Sequence, residues 1–156
     1  MNDVLRLFAA LVLVISGCSM NQATATSTQA LARVEELIHD TANALTPRPR
    51  LEPIHSFEAP SPCLDEDKSQ DQVIVSRAYW LRDVPKTDNM SISRQVHTFW
   101  EAQGHHIIAG GKTNNPDLSG TSRPEGYTLT LTWAEGGDLY LGAASTCVWP
   151  DGHAPE

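Results

Sequence analysis

The chain has 156 residues, and its 19 aspartates and glutamates outnumber 11 lysines and arginines, giving a formal net charge of −8. An acidic surface repels nucleic-acid phosphates and anionic lipid headgroups, so no nucleic-acid partner is expected and membrane contact requires an anchor. The hydrophobic content of 40% suffices for one modest core.

The N-terminus has the pattern of an export signal. Residues 1–6 contain a single basic side chain, Arg6, and an apolar run follows over residues 7–15. A membrane-spanning helix needs about 20 apolar residues, so this shorter run is typical of the hydrophobic region of a signal peptide. The signal peptide is predicted to cover residues 1–17.

The four residues Ile15-Ser16-Gly17-Cys18 resemble the bacterial lipobox, in which an aliphatic and two small residues precede an invariant cysteine. The resemblance implies that Cys18 is lipidated and becomes the mature N-terminus. Two acyl chains on one residue anchor a protein stably. We therefore expect the chain on the extracytoplasmic face of the cell membrane, with residues 18–28 as a flexible tether. The alternative is an ordinary signal peptide or a short buried helix with an unmodified Cys18.

A first amphipathic helix is predicted over residues 29–45, capped by Ser27 or Thr28. Its apolar residues recur every three or four positions and so share one face: Leu31, Val34, Ile38, Ala42 and Leu45. Prolines at positions 47, 49, 53, 60 and 62 follow the helix. Because proline removes a backbone donor and fixes φ, residues 46–62 are expected to form neither helix nor sheet but an extended strap.

A second helix is predicted to begin at Asp88 or Ser91 and to end at Gly104. Its apolar face consists of Ile92, Val96, Phe99 and Trp100. This helix lies between two predicted strands, over residues 73–81 and 105–109, the first being rich in β-branched and aromatic side chains.

The last third of the chain predicts a β-hairpin. Apolar and polar side chains alternate over residues 127–133, with Trp133 on the apolar face, and again over 139–143, around a turn at 135–138. Residues 110–126, before this hairpin, are expected to form a loop without regular structure. The fold class is therefore α+β, with an antiparallel β-meander sheet and one or two helices packed on one face, in a domain covering residues 63–152.

Three cysteines in an exported chain leave one unpaired. Lipidation of Cys18 removes the odd cysteine, and an oxidising compartment favours a disulfide between Cys63 and Cys147. The competing interpretation, a catalytic or metal-binding pair of thiols, lacks a CxxC spacing. We expect one disulfide to close the domain.

No motif for catalysis, zinc or nucleotide binding is present, so no catalytic residue, metal ligand or cofactor is assigned. Asp65, Asp67, Ser69 and Asp71 alternate as in an EF-hand calcium loop, but Gln70 stands where the hinge glycine belongs. This run is interpreted as a solvated acidic turn.

Four stretches resemble small uncharacterised lipoproteins of actinobacteria: VSRAYWL, FWEAQGH, RPEGYTLTLTW and LYLGAASTCVWPDG. They lie between Cys63 and Gly152. The resemblance implies a location in the cell envelope, but it does not indicate any particular activity.

The long loop supplies the candidate binding residues, because loops of this length are often functional: Lys112, Asn114, Asn115 and Arg123. The first hypothesis is a non-enzymatic binding or interaction module for an envelope protein or a small ligand. The alternative is a lipoprotein that binds a metal or small ligand, and a third is a hydrolase of unrecognised type.

Overall fold

The computed structural model describes residues 24–64 and 71–154. These residues form an α+β domain with two helices, a six-stranded antiparallel sheet and a two-stranded sheet. The predicted signal peptide, Cys18 and most of the predicted tether lie outside the described residues, as does most of the acidic turn. Neither described helix combines the length and hydropathy needed to cross a bilayer.

Helix α1, Ser27–Asn43, begins two residues before the predicted start. Its cap is Thr26, whose hydroxyl accepts a hydrogen bond from the Gln29 N–H at 3.1 Å while the Gln29 side chain accepts one from the Thr26 N–H at 3.0 Å. This reciprocal capping box satisfies two donors that the first turn leaves unpaired. The helix buries one face, formed by Ala30, Val34, Leu37, Ile38, Thr41 and Ala42.

Helix α2, Asn89–Ala102, buries Ile92, Val96 and Trp100 as predicted, and Gly104 follows its end with φ of +79°. The Trp100 indole N–H donates to the Thr41 hydroxyl at 3.0 Å, which joins the two helices inside the core. Both helices pack on the same face of the main sheet, with α1 on its centre and α2 beside one edge.

The strands of the main sheet are β1 Arg50–Pro53, β4 Ser76–Arg82, β5 His106–Gly110, β6 Leu118–Thr121, β7 Thr128–Trp133 and β8 Leu139–Ala144. Their order in the sheet is β1-β4-β8-β7-β6-β5. Strands β5 to β8 form the predicted meander, in which Leu131 of β7 is paired with Leu118 of β6 and Leu141 of β8. Trp133, predicted to be buried, is 47% exposed because it ends its strand.

The prediction that residues 46–62 form no sheet is wrong for β1, which pairs Leu51 with Leu81 at one edge of the main sheet. An edge strand needs hydrogen bonds on one side only, and Pro53 stands at its end, where a missing N–H costs little. The rest of the strap contains a 3-10 turn, His55–Phe57, and the short strand β2, Ser61–Pro62.

The strand predicted over residues 73–81 is divided in two. Its first part, β3 (Val73–Ile74), pairs with β2 in the small sheet, and the chain enters the main sheet at Ser76. Between them, Val75 is buried and makes two hydrogen bonds with Ser145. The Ser145 N–H donates to the Val75 carbonyl at 2.8 Å, and the Ser145 hydroxyl accepts from the Val75 N–H at 3.0 Å.

The prediction of an irregular loop over residues 110–126 is also wrong in part, since β6 lies within it. At Gly120 a Cβ atom would stand 2.9 Å from the His106 carbonyl oxygen. The close approach of β5 to β6 therefore requires glycine, and a strand with glycine on its buried face lacks the hydrophobic alternation that identifies strands.

The predicted disulfide between Cys63 and Cys147 is present, with Cα atoms 5.9 Å apart. It joins the segment after β2 to the segment after β8. Val73 and Val148 form an antiparallel bridge beside it, with two backbone hydrogen bonds of 2.9 Å. The disulfide thus fastens the small sheet to the end of the main one.

Candidate functional site

A groove opens between α2 and residues 111–114, which follow β5. Its volume is about 670 Å³, within the range of small-molecule sites. The helix contributes Met90, Ser93, Arg94, His97 and Thr98, the loop contributes residues 111–114, and Leu118 of β6 completes the lining.

The helical wall results from the 3.6-residue period of α2. Met90, Arg94 and His97 recur at i, i+4 and i+7, so they share one face of the helix. That face lies next to the buried face centred on Val96, which packs in the core. Helix α2 therefore packs in the core with one face and lines the groove with the adjacent face.

The loop wall is shaped by backbone turns. Gly111 has φ of +71°, a conformation that favours glycine, and Asn114 has φ of +64°. The Asn115 side chain accepts a hydrogen bond from the Asp117 N–H at 2.9 Å, and the Asp117 carboxylate accepts one from the Trp133 N–H at 2.6 Å. These contacts tie the far end of the loop to β7.

The groove has a cationic character. Arg94, Lys112 and His97 line it, and among the described residues no aspartate or glutamate belongs to the lining. The His97 Nδ1 atom lies 3.2 Å from a carboxylate oxygen of Glu101, one turn further along α2. Arg94 and Lys112 have no carboxylate partner within the described part of the chain.

The four candidate residues of the loop lie in different places. Lys112 and Asn114 line the groove, whereas Asn115 lines a neighbouring hollow of about 140 Å³ that Lys112 also borders. Arg123 lies past the other end of β6, where its backbone N–H donates to His105 Nδ1 at 3.2 Å. The structure therefore brings two of the four residues together in the groove.

Sequence reasoning missed the α2 residues of the groove. The signal available was the recurrence of Met90, Arg94 and His97 at helical spacing, beside the apolar face. That signal alone does not reveal a groove, because a polar helical face is usually solvated and the opposing wall comes from a different part of the chain.

Two polar clusters lie elsewhere, between α1 and the sheet. In one, the Tyr79 hydroxyl donates to the Glu35 carboxylate, whose oxygens lie 2.9 and 2.8 Å away. Burial and this carboxylate raise the pKa of Tyr79 to about 12. Arg77 also contacts Glu35, at 3.3 Å. This cluster satisfies its charges internally and holds α1 to β4.

The second cluster joins α1 to the segment after β6. Arg33 donates to Glu125 at 2.8 Å, and Glu125 also accepts from the Ser122 hydroxyl at 3.2 Å. Burial and the Arg33 guanidinium lower the pKa of nearby His105. In the described ranges, no three His, Cys, Asp or Glu side chains gather closely enough to hold a metal ion.

Comparison with known proteins gives no match to a family model, a curated protein or a solved structure. The function is therefore inferred from the geometry of the groove and from the sequence of the N-terminus.

Proposed function

We propose that this chain is a non-enzymatic binding module of the cell envelope, held on the extracytoplasmic face of the membrane through a lipid on Cys18. Its binding site is the groove between α2 and residues 111–114. The observation that carries the proposal is the meeting of two separate elements around a volume of about 670 Å³ with polar and cationic side chains.

The arrangement of Ser93, His97 and Glu101 favours binding over hydrolysis. They follow one another at four-residue spacing on α2, and His97 pairs with Glu101 as a general base would. However, no hydrogen bond joins the Ser93 hydroxyl to His97, and Ser93 is buried. A serine nucleophile requires this contact for activation, so the trio lacks the geometry of a catalytic triad.

The anchor is tested by a Cys18→Ser variant in cells, with Ser19→Ala as the matched control. We expect Cys18→Ser to leave the membrane fraction while Ser19→Ala stays there, because the thiol is the atom that accepts the lipid. Retention of Cys18→Ser in the membrane fraction after its signal peptide has been removed would overturn the proposed anchor.

The site is tested by a photo-crosslinking side chain placed at Thr98 in the groove, with the same side chain at Thr128 as control. Both threonines are exposed, but Thr128 lies on β7, outside the groove. After irradiation of intact cells, intact-mass spectrometry of the recovered chain registers small-molecule and protein adducts alike. A discrete adduct at Thr98 and none at Thr128 is expected, and equal or absent labelling would refute the site.

A further inference from the structure

Most described cations of the chain are paired with carboxylates, whereas the two strongly basic side chains that line the groove, Arg94 and Lys112, are not. Most described lysines and arginines lie close to a carboxylate, with shortest N–O distances between 2.6 and 3.5 Å: Arg33, Arg50, Arg77, Arg82 and Lys86. Arg48 bonds to an amide oxygen. Arg94, Lys112 and Arg123 have no acidic partner among the described residues. The first two both line the groove, Arg94 from α2 and Lys112 from the loop.

The carboxylates near the groove are already engaged. Glu101 pairs with His97, and Asp117, which borders the neighbouring hollow with Lys112, accepts the Trp133 N–H. In a chain with a net charge of −8, a lining that holds cations without a carboxylate forms a local positive site. Such a site attracts an anion and orients it.

The groove also has an apolar part. The half-buried Met90 contributes an unbranched side chain that adapts to the shape of a ligand, and the buried Leu118 lies behind it in the lining. The hydroxyls of Thr98 and Thr113 and the Asn114 amide supply further hydrogen-bonding groups. The volume suits a small molecule, whereas a protein partner normally covers a larger surface.

We propose that the groove binds an anionic amphiphile, whose carboxylate or phosphate pairs with Arg94 and Lys112 and whose hydrocarbon part lies against Met90 and Leu118. This inference depends on the proposed function, because it names the ligand class of the same groove. The carboxylate and phosphate forms share the chemistry that the two cations recognise.

Calorimetry on the mature chain, residues 18–156, carrying Cys18→Ser tests the ligand class, because this protein has neither the apolar signal segment nor the lipid and needs no detergent. The probes are decanoate and decyl phosphate below their micellar concentrations, compared with decanol, decyltrimethylammonium and tetraglutamate. We expect 1:1 binding of at least one anionic amphiphile, weakened by added salt, and at least about tenfold weaker binding of the three comparison compounds. Which anion binds more tightly separates a carboxylate ligand from a phosphate ligand.

Matched variants test the residues. Arg94→Gln and Lys112→Gln should each weaken binding of the anion about tenfold, the loss expected for one charge-assisted hydrogen bond. Arg123→Gln removes the same charge from an unpaired arginine outside the groove and should leave the affinity unchanged. Equal losses in all three variants, or no loss at Arg94 and Lys112, would overturn the assignment.

The remaining outcomes separate this inference from the proposed function. Equal binding of decanol or the cationic amphiphile would show that charge does not select the ligand, and preferential binding of tetraglutamate would assign the groove to an acidic peptide. Either result overturns the inference. A groove-specific adduct at Thr98 together with no binding of either anion refutes the ligand class while the groove remains the binding site.

Discussion

The disulfide between Cys63 and Cys147 closes a loop of 84 residues. Removing it therefore measures how much of the unfolding free energy of this domain depends on the crosslink. The perturbation is the double change Cys63→Ser and Cys147→Ser in a Cys18→Ser background, which then contains no cysteine. The Cys18→Ser chain with its disulfide intact is the control.

The expected loss of unfolding free energy follows from the length of this loop. In the chain-entropy model, a loop of 84 residues loses about 15 cal/mol/K in the unfolded state, or about 4.5 kcal/mol at 25 °C. The native contact does not depend on the sulfur atoms alone: the Cys63 N–H donates to the Gln72 carbonyl at 3.0 Å, and Val73 and Val148 are bridged beside it. We therefore expect the folded structure to persist and the effect to arise in the unfolded chain.

The assay is urea unfolding followed by tryptophan fluorescence. With a slope of about 2 kcal/mol/M, a loss of 4.5 kcal/mol lowers the midpoint by about 2 M. This loss is close to the whole stability of many small domains, so the serine variant is expected to be marginally folded without urea. A midpoint shift below about 0.5 M would refute the loop-closure reasoning. Misfolding of the Cys18→Ser control would show that the pairing of cysteines is assigned wrongly.

Three smaller perturbations test other contacts. Thr41→Val removes the acceptor of the buried Trp100 N–H, and the unfolding free energy should fall by about 1–3 kcal/mol in urea titrations. Gly120→Ala pushes a methyl group against the His106 carbonyl, and the melting temperature should fall as β5 and β6 separate. The lowered pKa of His105 means that the folded state favours the neutral imidazole. The contribution of His105 to the unfolding free energy is therefore fully present above about pH 6.5 and is lost as the pH falls towards the lowered pKa. Urea midpoints should therefore drop more between pH 7.5 and 5.5 in the parent chain than in His105→Gln, and equal drops would contradict this.

The elements predicted correctly are those whose side chains repeat with a clear period. Ile92, Val96 and Trp100 lie four positions apart and are buried, and alternation over β7 and β8 places Leu129 and Leu141 in the core. Periodicity works here because one face of each element meets the core and the other meets solvent.

The elements missed are those in which backbone geometry determines the fold. Strand β6 has Leu118 as its single large apolar residue, and Gly120 is required by close approach of the neighbouring strand. Strand β1 has a proline at its end, which is compatible with an edge but not with a central strand. Lys112 and Asn114 were chosen as candidate binding residues because the loop is long, and both line the groove, but their binding role stays a prediction. The residues of α2 were not chosen, because a groove exists only where two distant segments meet.

The two walls of the groove are held differently, and this bears on how it would bind. The start of α2 is fixed because Asn89 donates to the Gly137 carbonyl at 2.7 Å, and its end is fixed because Trp100 bonds to Thr41 in the core. A wall anchored at both ends keeps the backbone of Arg94 in place before a ligand arrives, so no entropy is lost in ordering the helix on binding. The opposing wall, residues 111–114, is exposed and is tied to β7 beyond its far end, through Asp117. A rigid helical wall facing a less constrained loop suits a site that selects a charged group at fixed positions while accepting hydrocarbon parts of different shape.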